Sequence, residues 1–145
     1  GRRLMQFVFV KDLVWACLKV MSEPAAVGHA FNIANLRPIT QTEAVEAFAA
    51  AAGKKAQTVR VPREVIQRAG GQILGSRLYF GEYFDLPPIT QIISKAQRML
   101  GFKPTDFAAG LAETYRWYQR HHNHPAPDYS FEDHLLQFAV PASAK

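Results

Sequence analysis

The sequence predicts an α/β fold, and three observations carry that expectation. Short β-rich runs at 4–10, 29–34 and 58–61 alternate with stretches whose apolar residues recur at helical spacing. Several of those stretches carry their own start and stop signals, such as Thr40-Gln-Thr-Glu43 before one of them and Gly53 after it. The composition is globular: 48% of the 145 residues are hydrophobic and 20% are charged, which argues against disorder over the whole chain.

Leu4-Met-Gln-Phe-Val-Phe-Val10 is the first expected strand. Asp12 is placed to cap a helix over about 13–21, on which Leu13, Cys17, Val20 and Met21 fall at helical spacing. Pro24 and Gly28 close that unit. His29-Ala-Phe-Asn-Ile-Ala34 reads as the second strand, and the helix between the two predicts a right-handed crossover. The capping box Thr40-Gln-Thr-Glu43 opens a helix with Val45, Phe48, Ala49 and Ala52 on one face, and Gly53 ends it. Thr58-Val-Arg-Val61 alternates as a half-buried strand does. Pro62 suits the first turn of a helix that stops near Gly70-Gly71.

Residues 72–92 are aromatic and bear glycine, with Leu78-Tyr-Phe-Gly-Glu-Tyr-Phe84 and then Leu86-Pro-Pro-Ile89; short helical pieces and a long loop are expected. Ser94 is placed to cap a short helix that ends at Gly101. Thr105 or Asp106 starts the last long helix, running to about His121, with Leu111, Tyr115 and Tyr118 on one side. Residues 1–122 form the expected body. Residues 123–145 read as a tail, part of which docks through Phe131, Leu135, Leu136 and Phe138. Three strands are too few for a complete doubly wound sheet.

The net charge of +5 raises a nucleic-acid partner, but the basic residues are spread over both termini and most helices, so no specific nucleic-acid site is expected. No run approaches 18 apolar residues, so no membrane span is expected. Gly1-Arg-Arg-Leu4 and the short apolar run after it make a poor signal peptide. The single cysteine, Cys17, excludes an intrachain disulfide and reads as a small buried hydrophobe; a cytoplasmic setting is the default. His121-His122-Asn123-His124 offers too few converging ligands for a metal site, and no Gly-x-Ser-x-Gly supports hydrolase chemistry.

Six segments in order resemble one known family. They are Phe7-Val-Phe-Val-Lys-Asp-Leu13, Gly28-His-Ala-Phe-Asn-Ile33, Thr40-Gln-Thr-Glu43, Val61-Pro62, Ser94-Lys-Ala96 with Leu100-Gly-Phe-Lys-Pro104, and Glu113-Thr-Tyr-Arg-Trp-Tyr118. Over about residues 4–120 they are similar to the C-terminal portion of extended short-chain dehydrogenases/reductases, the NAD-dependent epimerase/dehydratase family. The resemblance implies an incomplete Rossmann-type unit, its last strand and helices, plus a small substrate-binding α/β lobe. It implies NAD(P) and a Tyr-x-x-x-Lys pair in the parent enzyme. This chain carries neither element. The residues four places after Tyr79, Tyr83, Tyr115, Tyr118 and Tyr129 are Tyr83, Pro87, Gln119, His122 and Asp133, and no Gly-rich dinucleotide turn occurs. No catalytic, cofactor-binding or metal-binding residue is therefore expected in the chain itself.

The resemblance leaves a substrate side. Arg63 stands where nucleotide-sugar epimerases place an arginine on the substrate diphosphate, although a surface arginine in a first helical turn explains it equally plainly. Arg37, in the loop Asn35-Leu-Arg-Pro38, is a second substrate candidate; turn chemistry alone accounts for Asn35 and Pro38. Tyr79, opening the aromatic stretch 79–84, either lines a pocket or belongs to a core. Met5 and Phe9 replace an arginine and a histidine of the family, which points to a less charged, more apolar substrate. Two functions follow as expectations: the substrate-binding portion of an NAD(P)-dependent epimerase, dehydratase or reductase, inert alone, or a stand-alone truncated product that self-associates as a homo-oligomeric binding module.

Overall fold

The computed structural model describes residues 2–71, 87–123 and 125–141. β1 (Leu4–Met5) and β2 (Ile39–Thr40) pair antiparallel, Leu4 opposite Thr40 and Met5 opposite Ile39. Between them lie α1 (Val10–Ser22) and a 3-10 turn, Pro24–Ala26. α2 (Gln41–Ala51) follows β2 directly. β3 (Val59–Arg60) pairs antiparallel with β4 (Val140–Pro141) at the other end of the chain. α3 (Arg63–Arg68), α4 (Ser94–Leu100), α5 (Phe107–His121) and α6 (Ser130–Leu136) complete the described elements. The fold is mixed α/β and mainly helical.

The expected strand at 29–34 does not form, and with it goes the parallel crossover. A buried side chain just beyond it ties the chain to the segment after β1. Asn35 accepts from the Phe7 N–H through Oδ1 at 2.8 Å and donates from Nδ2 to the Arg37 carbonyl at 2.6 Å. Its own N–H donates to the Phe7 carbonyl at 2.7 Å, and its carbonyl accepts from Gln6 Nε2 at 2.8 Å. A single asparagine thus satisfies both backbone groups of Phe7. Ahead of it, Phe31, Ile33 and Ala34 turn into the main core with Ala26, Ile93, Ala96, Leu100 and Phe102.

Helix ends follow local chemistry. In α2 the Thr40 hydroxyl accepts from the Glu43 N–H at 3.1 Å while the Glu43 carboxylate accepts from the Thr40 N–H at 2.6 Å, the capping box read from the sequence. α3 stops at Gly70, whose φ of +88° is open to glycine at little cost. There the Gly71 N–H reaches the Ile66 carbonyl and the Gly70 N–H the Gln67 carbonyl, a Schellman closure. Asp106 caps α5 by accepting from the Ala109 N–H at 3.0 Å. Two expected caps are not caps. Phe9 holds the N-cap position of α1 and Ile93 that of α4, with no side-chain bond at either.

Asp12 lies instead in the first turn of α1 and points inward. Its carboxylate accepts from the Thr105 N–H at 2.8 Å and the Thr105 hydroxyl at 2.6 Å, tying α1 to the approach to α5. The face of α1 that meets the body is therefore Asp12, Trp15 and Ala16, with the Trp15 ring 5.8 Å from that of buried Phe102. The opposite face holds the apolar stripe Val10, Leu13, Val14, Cys17, Leu18 and Met21, all exposed; Leu18 is 62% and Met21 83% exposed. Cys17 is thus a surface thiol, not the buried small hydrophobe expected, because the helix docks through the opposite face, that of Asp12, Trp15 and Ala16.

Candidate ligand cleft

Two helices and the segment after β1 enclose a cleft. Phe7 follows β1, Phe48 projects from α2 and Phe107 opens α5. Their ring centroids form a triangle with sides of 5.1, 6.3 and 6.4 Å, two of its contacts edge-to-face. α2 packs chiefly on α5, which is what brings Phe48 to the other two rings. The cleft beside the triangle has a volume of about 150 Å³, and its remaining described walls are Val8, Phe9, Asn35, Thr105, Asp106, Gly110, Leu111 and Thr114.

Gly110 explains how Phe9 comes so near. A Cβ on this buried glycine would stand 3.2 Å from the Phe9 ring, tighter than ordinary contact. A glycine inside a helix costs about 1 kcal/mol relative to alanine, so the close approach of ring to helix is maintained against local propensity.

Every polar side chain on the wall is already engaged in the fold. Asn35 holds Phe7 and Arg37. The Thr105 hydroxyl donates to Asp12, Asp106 caps α5, and the Thr114 hydroxyl donates to the Gly110 carbonyl at 2.9 Å. What faces the cavity is mostly ring and methyl surface.

The residues singled out from the sequence lie elsewhere. Arg37 is exposed and pairs with Glu43 at 3.2 Å, also donating to the Pro38 carbonyl, so it supports the α2 cap. The hydrogen bonds to Thr40, with Arg37 beside them, hold the Glu43 carboxyl below its usual range. Arg63 opens α3 on the exposed side of that helix. Neither arginine is among the described residues of the cleft wall. Tyr79 and the aromatic stretch 79–84 lie outside the described residues, as does His124. On α5, His121 donates from Nδ1 to the Trp117 carbonyl at 2.8 Å and stacks on the Trp117 ring, while His122 lies against Tyr118. Among the described residues no three histidine, cysteine or acidic side chains gather as a metal site would require, and no helix is long and apolar enough to cross a membrane.

The three longest described helices each carry an acid at or near the N-terminus, Asp12 in α1, Glu43 in α2 and Asp106 at the cap of α5, where a negative charge complements the helix dipole.

Sequence reasoning missed Phe7, Phe107 and Gly110 as wall residues, and took Phe48 and Leu111 only as members of helix faces. One signal was available. A lone glycine amid Phe107-Ala-Ala-Gly-Leu-Ala112 breaks a strong helical run, and such a glycine marks a close approach. No protein-family model, curated protein or solved structure matches this chain.

Proposed function

We propose that this chain is the substrate-binding portion of an NAD(P)-dependent epimerase, dehydratase or reductase, an incomplete Rossmann-type unit with a small substrate lobe, and that it is catalytically inert by itself. The observation that carries this is α1. It runs Val10, Leu13, Val14, Cys17, Leu18 and Met21 along its solvent side without one charge in the stripe, while docking through Asp12, Trp15 and Ala16. A helix apolar on its outer face belongs between two layers, and the second layer proposed is a cofactor-binding half.

The thinness of the core supports the same view. Among the described residues six large apolar side chains are buried and twenty-one are exposed, and alanine makes up most of the remainder of the core. Scattered exposed apolar side chains are ordinary, but a continuous stripe is a surface meant to be covered. NAD(P) would supply hydride chemistry from the cofactor-binding half, and the part of this chain would be to shape and close the substrate pocket.

The test is the coding sequence that precedes Gly1. A dinucleotide-binding half in frame supports the proposal; a start codon with none overturns it. On the protein, NADH and NADPH titrations should give no saturable signal, and tight binding would sink the assignment of the cofactor to another half. The charge-free stripe also favours a second possibility, a homo-oligomeric binding module in which two copies meet along α1. Sedimentation decides it: a mass above 16.2 kDa that returns to 16.2 kDa in Leu18→Glu supports the module.

A further inference from the structure

We propose that the cleft between Phe7, Phe48 and Phe107 binds an uncharged apolar group about the size of one aromatic ring. The proposal rests on the small-molecule half of the function above but does not depend on the family assigned there.

Size comes first. At about 150 Å³ the cleft is well below the volume that holds a whole drug-sized ligand or nucleotide, and it matches a cavity that accommodates benzene. Only one ring or a branched alkyl group of that volume fits. Polarity comes second. The Thr105 and Thr114 hydroxyls already donate within the fold, so an acceptor-bearing ligand group would find neither hydroxyl hydrogen free to compensate its desolvation. Charge comes third. The only charged side chain on the described wall is Asp106, and it already occupies the α5 N-terminus that could otherwise have attracted an anion. The triangle of rings, two of its contacts edge-to-face, supplies aromatic faces and edges for another ring to pack against.

The experiment is a titration of the full chain with toluene, followed by the methyl resonances of Leu111 and the ring resonances of Phe48 and Phe107. Saturable shifts centred on those residues are expected, with benzoate weaker by about fivefold because its carboxylate would meet the like charge of Asp106. Leu111→Trp should fill the cleft and abolish the shifts. Should that variant fail to fold, Thr114→Phe is decisive, since Thr114 is an exposed rim residue and its phenyl would cover the mouth. Shifts that never saturate, that centre on the α1 stripe instead, that survive the filling variant, or that benzoate reproduces at equal strength would each overturn the proposal. None of these outcomes bears on the coding sequence or the NAD(P)H titrations, so the two proposals fail separately.

Discussion

Replacing Asp12 with alanine removes a carboxylate that is 8% exposed and accepts two bonds from Thr105, at 2.8 Å from the N–H and 2.6 Å from the hydroxyl. Hydrogen bonds to a charged group contribute about 1.5–3 kcal/mol each, and an orphaned buried donor costs about 1–3 kcal/mol. The acid at the α1 N-terminus adds about 0.3–1 kcal/mol. These contributions overlap, and removing a partly desolvated charge returns some energy, so the net loss expected is about 3 kcal/mol. For a chain of this length that lowers the melting temperature by roughly 10 °C. Thr105→Val keeps the N–H bond and loses only the hydroxyl, for about 1.5 kcal/mol. Because the two residues share a bond, the double variant should be less destabilised than the sum of the singles by about 1–2 kcal/mol. Urea unfolding followed by circular dichroism measures all four proteins. A loss below about 0.5 kcal/mol for Asp12→Ala, or strict additivity with Thr105→Val, would refute the claim that this pair holds α1 to α5.

Asn35→Ala removes the acceptor of the Phe7 N–H and the donor to Arg37, and is expected to cost about 2–4 kcal/mol by chemical denaturation; a loss inside experimental error would mean that the segment after β1 is held otherwise. Glu43 has a carboxyl pKa lowered from 4.5, first by the Thr40 backbone N–H, so its contribution to α2 is complete above pH 4.5 and fades as pH falls through the lower folded value. Glu43→Gln should flatten the acid limb of a stability–pH curve, and an unchanged limb would remove the capping box from the account. Leu18→Glu and Met21→Glu should change stability by no more than about 0.5 kcal/mol while lowering the binding of an apolar dye; strong destabilisation would show that the α1 stripe is covered in the folded chain.

Helix existence was legible wherever the chemistry was local. Thr40 and Glu43, Gly53, Gly70-Gly71 and Gly101 mark their helix ends in the sequence, because each acts on backbone within a few residues. The strand at 29–34 was misjudged because Phe31, Ile33 and Ala34 have the alternation and β-preference of a strand, yet strand formation depends on a partner. Asn35, just beyond it, links instead to Phe7 of the first expected strand, a contact across 28 residues that no local pattern encodes. Asp12 was misplaced as a cap for a similar reason. A carboxylate near a helix start has two uses, and the choice was made by Thr105, 93 residues away. The cleft was the least legible part. Its wall unites residues near 8, 48, 107 and 111, and the substrate candidates Arg63, taken from the resemblance, and Arg37, taken from its loop after an expected strand, are exposed and outside its described wall.

Cys17 and Asp12 share one helix and exchange the places their side-chain types usually take: the thiol is outside and the carboxylate inside. Such an exchange is costly in a helix that ends its packing at solvent, since the outward stripe forgoes burial worth about 1.5–3 kcal/mol for each large apolar side chain. It becomes economical in a helix packed on both sides. The inner side then holds the body through Ala16, the Trp15 ring on Phe102 and the Asp12–Thr105 pair, and the outer side offers Val10, Val14, Leu18 and Met21 to a second layer. Sequence position reinforces the point. Phe7 and Phe9, which wall the cleft, lead directly into α1, and Asp12 fixes α1 to Thr105 on the same wall. A surface that presses on the α1 stripe would therefore bear on the cleft through a connection only a few residues long. Toluene affinity in Leu18→Glu against the parent chain reads that connection: a changed affinity is expected where the parent self-associates, and equal affinities there would refute it.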